Sequence, residues 1–323
     1  MKLEEVRPSR AFPKVPLNAV LTCRLAAERC YSEPMLLSIT HTTEYAYPKP
    51  AWDSFNELRL QPADDYRQTV LQFELEVVPA TALRNHVDYY GNTAHHFHLS
   101  TRHDDLRITS SALVSTYPIP TPHTVPAGAL PDMRHRFFEY LAPTRRVPLN
   151  QDWLGRFGAA PLNAGDEVTQ YLLDLTVHLK ARLTYRSNST TVDTTLKDFA
   201  NTQTGVCQDF AHTMLAICRS VGIPSRYVSG YVHSNPRGNE DMIGSEGSHA
   251  WVEVFLPGSG WVGYDPTNGC IINEAHAKLA VGRDYDDVPP TRGLRRGGGR
   301  GGLHVDVKVR RADRQVATLE TAL

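Results

Sequence analysis

The spacing of apolar positions changes along the chain and divides it. Val70 to Val77 alternates strictly, with Leu71, Phe73, Leu75 and Val77 on one face, the period of a half-buried strand. Met35 to Tyr47 opens abruptly as another strand. Asp88 to Thr93 carries a turn signal between two strand-like runs, and Leu106 to Tyr117 is a further strand. Short strands at regular spacing predict a small β-sandwich over residues 35–117. The Pro-rich stretch 118–131 reads as a linker. Residues 1–34 keep no period. They read as a disordered extension, or as sequence ahead of a translation start at Met35.

Beyond the linker the period lengthens. Met133 to Leu141 and Asp152 to Phe157 are predicted as short helices. Asp166 to Leu183 is a longer one, with Val168, Leu172, Leu175 and Leu179 as its stripe. Thr194 to Phe199 reads as a short capped helix, and the loop Asn201 to Val206 delivers Cys207. Phe210, Met214, Leu215, Cys218 and Val221 then recur at helical spacing until Gly222 and Pro224 stop the run. Ser225 to Val232 is a strand. Asn235 to Gly247 is a polar surface loop and, standing just before His249, a candidate lid. Ser248 to Phe255 and Gly260 to Asp265 form a hairpin across the turn Pro257 to Gly260. Leu303 to Arg310 alternates again and should be a last strand of the region 132–323. The Gly-rich run 297–302 lacks the Lys-Ser/Thr of a phosphate loop and reads as a flexible turn.

This order of elements places a cysteine at the start of a buried helix, a histidine at the start of a strand and an aspartate at the end of the next. Free N–H groups and the helix dipole stabilise a thiolate at Cys207, and the same N–H groups could hold an oxyanion. A hairpin can set His249 beside Asp265, which completes a thiol triad. Taken singly, each residue is more often inert packing; the constellation carries the reading. Candidates for a second oxyanion donor or for the substrate groove are Gln203, Gln208, Tyr185 and Trp251.

Three blocks, GVCQDFAHTMLAICRSVGIPSRYVSGYV, SHAWVEVFLPGSGWVGYDPTNG and VGRDYDDVPPTRG, resemble the transglutaminase-like core of the papain-like cysteine superfamily, in its bacterial cysteine-protease branch. The resemblance implies an α+β fold: an N-terminal β-sandwich, then a papain-like core with a nucleophile helix packed on an antiparallel sheet. It implies Cys207 as nucleophile, His249 as base and Asp265 as the orienting carboxylate, with a peptide or protein amide as substrate. Hydrolysis is the favoured outcome, with amine transfer (a transglutaminase) or a non-catalytic scaffold as alternatives. Arg283 or Asp284 of the third block is expected to brace the catalytic strands.

Composition narrows this further. A net charge of -1 points to neither nucleic acid nor an acidic membrane surface as partner. Five scattered cysteines do not make a disulfide scaffold and fit a reducing, cytoplasmic setting. No apolar run has the length of a membrane helix. No cofactor or metal is implied. His96 and His98 share a strand face but lack a third ligand at a matching offset, so a solvated face is the better account. His212, five residues after Cys207, reads as structural. The sequence leaves the oligomeric state open.

Overall fold

The computed structural model describes residues 34–234, 242–244 and 247–312. The segment 1–33 and most of the loop 235–247 lie outside them, so the expectations for an N-terminal extension and for a lid fall there too. The chain divides into two compact units. One holds Thr121–Arg226 and Trp251–Ile271. The other holds 30–120, Tyr227–Ala250 and 272–323.

The second unit is built on one long strand, β1 (Met35–Leu58). Its first half pairs with β5 (His103–Thr116) and β14 (Gly302–Arg311). Its second half pairs with β4 (Thr93–Leu99) and β13 (Thr291–Gly297). β2 (Gln68–Val78) adds to β5, and β3 (Arg84–Val87) to β4, giving a seven-stranded antiparallel sheet. Leu58, Val77, Phe97, Leu99, Leu106 and Ile108 from these strands, with Leu60 just beyond β1, meet in one buried cluster, the core that the alternating pattern requires.

Two sequence expectations are corrected in this unit. The face Leu71–Phe73–Leu75–Val77 does not hold throughout, because Leu71 is 50% exposed. A register shift between Val70 and Gln72 interrupts the alternation at that residue. The strand Leu303 to Arg310, expected at the end of the region 132–323, pairs instead with β1, Ala46 opposite Gly302 through Leu37 opposite Arg311.

The same unit also holds β8 (Ser225–Val232), from Tyr227 onward, paired with β12 (His276–Gly282). Two side-chain amides cover the outer edge of β12 as a neighbouring strand would. Gln68 accepts from the Lys278 N–H at 2.7 Å and donates to its carbonyl at 2.9 Å. Asn92 does the same at Val281, both bonds 2.8 Å. Lys278, 5% exposed, reaches the Asp65 carboxylate at 2.7 Å, so its buried charge is paired. Arg283 donates to Asp287 at 2.9 and 3.0 Å, and Tyr90 is a further hydrogen-bond partner of its guanidinium. Asp284 accepts the Asp286 N–H and caps a short 3-10 turn.

The first unit carries the helices α1 (Trp153–Phe157), α2 (Val168–Arg182), α3 (Leu196–Thr202) and α4 (Cys207–Ser220). The expected stripe of α2 is real: Val168, Leu172, Leu175 and Leu179 are each 0% exposed. Side chains of Asp152, Glu167 and Thr195 cap α1, α2 and α3 by accepting first-turn N–H groups. The stretch 133–141 forms 3-10 turns, Ala127–Met133 and Phe138–Tyr140, rather than a helix, with Pro131 inside the first. In α4 every residue from Gln208 to Arg219 is buried. Its large apolar side chains contribute about 1.5–3 kcal/mol each on burial. Its C-terminal Arg219 is held by the carbonyls of Ala142 and Ser225. In the same unit β9 (His249–Leu256, from Trp251 onward), β10 (Gly260–Asp265) and β11 (Cys270–Ile271) run side by side. The start of β8 is tied to β9 by Arg226, which donates twice to the buried Glu253, at 2.9 and 2.6 Å, while lying 4.1 Å over the Trp261 ring. Among the described residues no helix is long and apolar enough to cross a membrane.

Candidate active site

Cys207 is the first residue of α4 and is half-buried. A short delivery loop fixes it there. Thr204–Gly205 (β7) pairs in parallel with Thr184–Tyr185 (β6), Gly205 opposite Tyr185. A side chain at Gly205 is sterically refused: its Cβ would overlap Asp209 Oδ2 and stand 2.6 Å from the Phe199 ring. Asp209, in the first turn of α4, accepts the Val206 N–H at 2.9 Å and the Thr190 hydroxyl at 2.6 Å on that same oxygen. Burial pushes the Asp209 carboxyl pKa up, and these two donors oppose the shift. The carboxylate thereby ties the residue before Cys207 to the helix that follows it.

Asp265 is the last residue of β10 and is 0% exposed. The turn DPTNG folds back on its carboxylate. Oδ1 accepts the N–H groups of Thr267 (2.9 Å) and Asn268 (3.1 Å), and Oδ2 accepts from Asn268 Nδ2 at 2.6 Å. Gly269 closes the turn with φ 72° and donates to the Asp265 carbonyl at 2.8 Å. Tyr264 lies opposite Val252, so the Asp265 end of β10 is the end of the hairpin at which β9 enters. β9 opens on His249, which is buried.

Two neighbours of His249 were not singled out in the sequence. Gly244, at φ 92°, passes its backbone over the ring; a Cβ there would overlap Nδ1 and lie 3.1 Å from Cε1. His276, first residue of β12, is buried with its ring centroid 6.3 Å from that of His249. The turn Asn273–His276 holds it, with the Asn273 N–H 3.2 Å from Nδ1. Neither residue belongs to a periodic run, and contact with His249 comes only from folding. The visible signals were a glycine in a polar loop and a second histidine opening a strand.

The four groove candidates diverge. Gln203 occupies the left-handed cap of α3, φ 51°, and its amide donates to the Arg156 carbonyl at 3.3 Å. Gln208 is buried in the first turn of α4. Tyr185 is half-buried, its ring 6.4 Å from that of Phe210. Trp251 is 0% exposed, a core side chain two residues along β9 from His249. His212 is buried within α4. The remaining histidines of the β region divide by face. His95 is buried against Phe73, and burial lowers its pKa, with His96 adding to the shift. His103 bonds Ser54 at 3.2 Å. His96 and His98 face solvent, and His98 stacks on Phe55.

Comparison with known proteins places the chain in a family. Residues 159–266, which contain Cys207, His249 and Asp265, match the transglutaminase-like superfamily, and residues 37–115 match the bacterial transglutaminase-like N-terminal region. The chain belongs to the transglutaminase-like superfamily, in its bacterial branch. It is 37% identical to an uncharacterized protein of Mycobacterium leprae, over 85% of this chain and 98% of that one. Over a shorter stretch, 21% of this chain and 10% of the other, it is 38% identical to a protein-glutamine gamma-glutamyltransferase of Pseudomonas aeruginosa. Its fold is that of a solved candidate cysteine protease from Cytophaga hutchinsonii, with a TM-score of 0.69 at 20% identity, covering 87% of this chain and 92% of that one.

Proposed function

We propose that this protein is a thiol acyl enzyme that hydrolyses a peptide or isopeptide bond through Cys207, His249 and Asp265. The observation that carries the reading is the placement of the three residues: Cys207 opens α4, His249 opens β9, and Asp265 ends the strand paired to β9. His249 takes the Cys207 thiol proton, the sulfur attacks the amide carbonyl carbon, and the oxyanion faces the Cys207 N–H at the positive end of α4. His249 gives its proton to the departing amine, leaving an acyl-enzyme thioester. Water then attacks the thioester as His249 takes its proton, and His249 returns that proton to the departing Cys207 sulfur as the acid leaves. Asp265 fixes the imidazole tautomer. The similarity to a glutamyltransferase supports one competing fate of the same acyl-enzyme, capture by an amine rather than water.

Wild type and Cys207→Ala are incubated with a mixed peptide library and a labelled primary amine, and products are read by mass spectrometry. Cleaved peptides without amine incorporation, lost in Cys207→Ala, are the expected result. Amine incorporated at glutamine would replace hydrolysis by transfer. A thiol probe gives the second readout. Cys218 is fully buried, and burial pushes its thiol up to about 12, so it stays protonated and inert at neutral pH. Cys207 should label faster than Cys218, and His249→Ala should slow it by about 10²-fold or more. Absence of both products, with Cys207 labelling unchanged by His249→Ala, would leave a non-catalytic member of the fold.

A further inference from the structure

The solvent face of the N-terminal sheet carries two parallel rows of side chains. Residues directly opposite in antiparallel strands share a face. Phe55 lies opposite both His98 and Leu294, which makes a row of one imidazole and two apolar side chains across β4, β1 and β13. Two residues along, Glu57 lies opposite His96 and Arg292, and His96 lies opposite Arg84, which makes a charged row across β3, β4, β1 and β13. Together the rows line a groove of about 730 Å³.

Two features make this face unlike an ordinary solvated one. Phe55 is 56% exposed and Leu294 80% exposed, side by side on neighbouring strands. The charges around them do not cancel. Four arginines, Arg59, Arg84, Arg292 and Arg296, stand against three acids: Arg59 binds both Glu57 at 2.6 Å and Asp88 at 3.0 Å, and Asp53 is bound by His98 at 3.6 Å and Arg296 at 3.7 Å. Arg84 and Arg292 form no ion pair among the described residues. The groove therefore offers two exposed apolar side chains beside two guanidinium groups that stand outside any ion pair, with arginines in excess of acids around them.

We propose that this groove docks an acidic, extended peptide that carries a bulky apolar side chain. Arg84 and Arg292 are three strand spacings apart, about 14 Å, and side chains four residues apart on an extended chain are separated by about 13 Å. Two carboxylates at that interval engage both arginines, and the apolar side chain covers Phe55 and Leu294. The proposal is independent of the thiol chemistry, since binding here needs neither Cys207 nor turnover.

The test is fluorescence anisotropy with the full chain and a fluorescein-labelled peptide bearing two glutamates four residues apart with phenylalanines between them. A counterpart with lysine for glutamate is run beside it. Saturable binding of the glutamate peptide, weakening as salt is raised and at least about ten-fold weaker in the double variant Arg84→Glu, Arg292→Glu, is expected. Leu294→Ser should weaken it about three-fold. Arg310→Glu, a charge reversal outside the groove, should leave it unchanged, and the melting temperature of each variant shows that the sheet is intact. Equal binding of the lysine peptide, an unchanged affinity in the double variant, or no saturable binding would overturn the proposal. Self-association of the wild type that vanishes in the double variant would assign the face to a second copy of this chain and overturn it as well.

Discussion

At Gly244 the chain must pass backbone against an imidazole edge, and only glycine permits it. Two separate demands fall on the residue: φ of 92°, and no room for a Cβ beside Nδ1 of His249. Gly91 faces the first demand alone, with φ 86° and nothing near a Cβ. Comparing the two alanine variants separates backbone strain from displacement of the ring. Each should lose about 1–2 kcal/mol of stability from the left-handed conformation. Only Gly244→Ala should also slow thiol labelling of Cys207, by about 10–100-fold, and move the pH at which labelling rises, because the ring is pushed out of line. A Gly244→Ala protein that labels like Gly91→Ala, with the same pH profile, would show that the imidazole does not depend on the space glycine leaves.

At the scale of elements, β8 is joined to β1 by a buried polar chain. Tyr231 on β8 lies 2.8 Å from His41 Nδ1, and His41 Nε2 lies 3.1 Å from the Thr43 hydroxyl. Burial lowers the His41 pKa to about 4, although Asp306 on β14 pulls it the other way. The unfolded histidine takes a proton below about 6.5, whereas the folded one resists until about 4. Between those values the unfolded state binds more protons, so stability falls as pH falls across that window and is fully kept above it. The loss from this residue is at most about 3 kcal/mol. His41→Gln keeps a polar group at the site without a titration. Chemical unfolding of wild type and variant from pH 7 to pH 4 should therefore show the wild type losing ground to the variant across the window. Parallel curves would mean that His41 is not the acid-sensitive link.

Over the whole molecule, what could be read from the sequence depended on how local its cause was. The stripe of α2, the run after Cys207, the hairpin of β9 and β10 and the cap at Thr195 are set by residues a few positions apart, and they stand in the structure where their spacing puts them. The placement of Cys207, His249 and Asp265 on their elements was legible for the same reason. Leu71 was misread because alternation carries no mark of a bulge, and the stretch 133–141 because a helical period does not exclude 3-10 turns. His276 and the amides of Gln68 and Asn92 act through partners far away in the chain, which periodicity does not reveal. The largest such case is the final strand, whose alternation was plain but whose partner was not. β14 and β13 supply one whole side of β1, from Leu37 to Ala46 and from Ala51 to Leu58. A chain ended at Pro290 leaves those backbone N–H and C=O groups of β1 without their ladder. We expect amide exchange in Leu37–Ala46 to accelerate by at least about 10²-fold and to rise far more than exchange in Phe210–Ile217 of α4. If the reverse held, with α4 exposed and β1 still protected, the last two strands would belong energetically to the helical unit, as the sequence alone suggested for the final one, and their pairing with β1 would contribute little to the sheet.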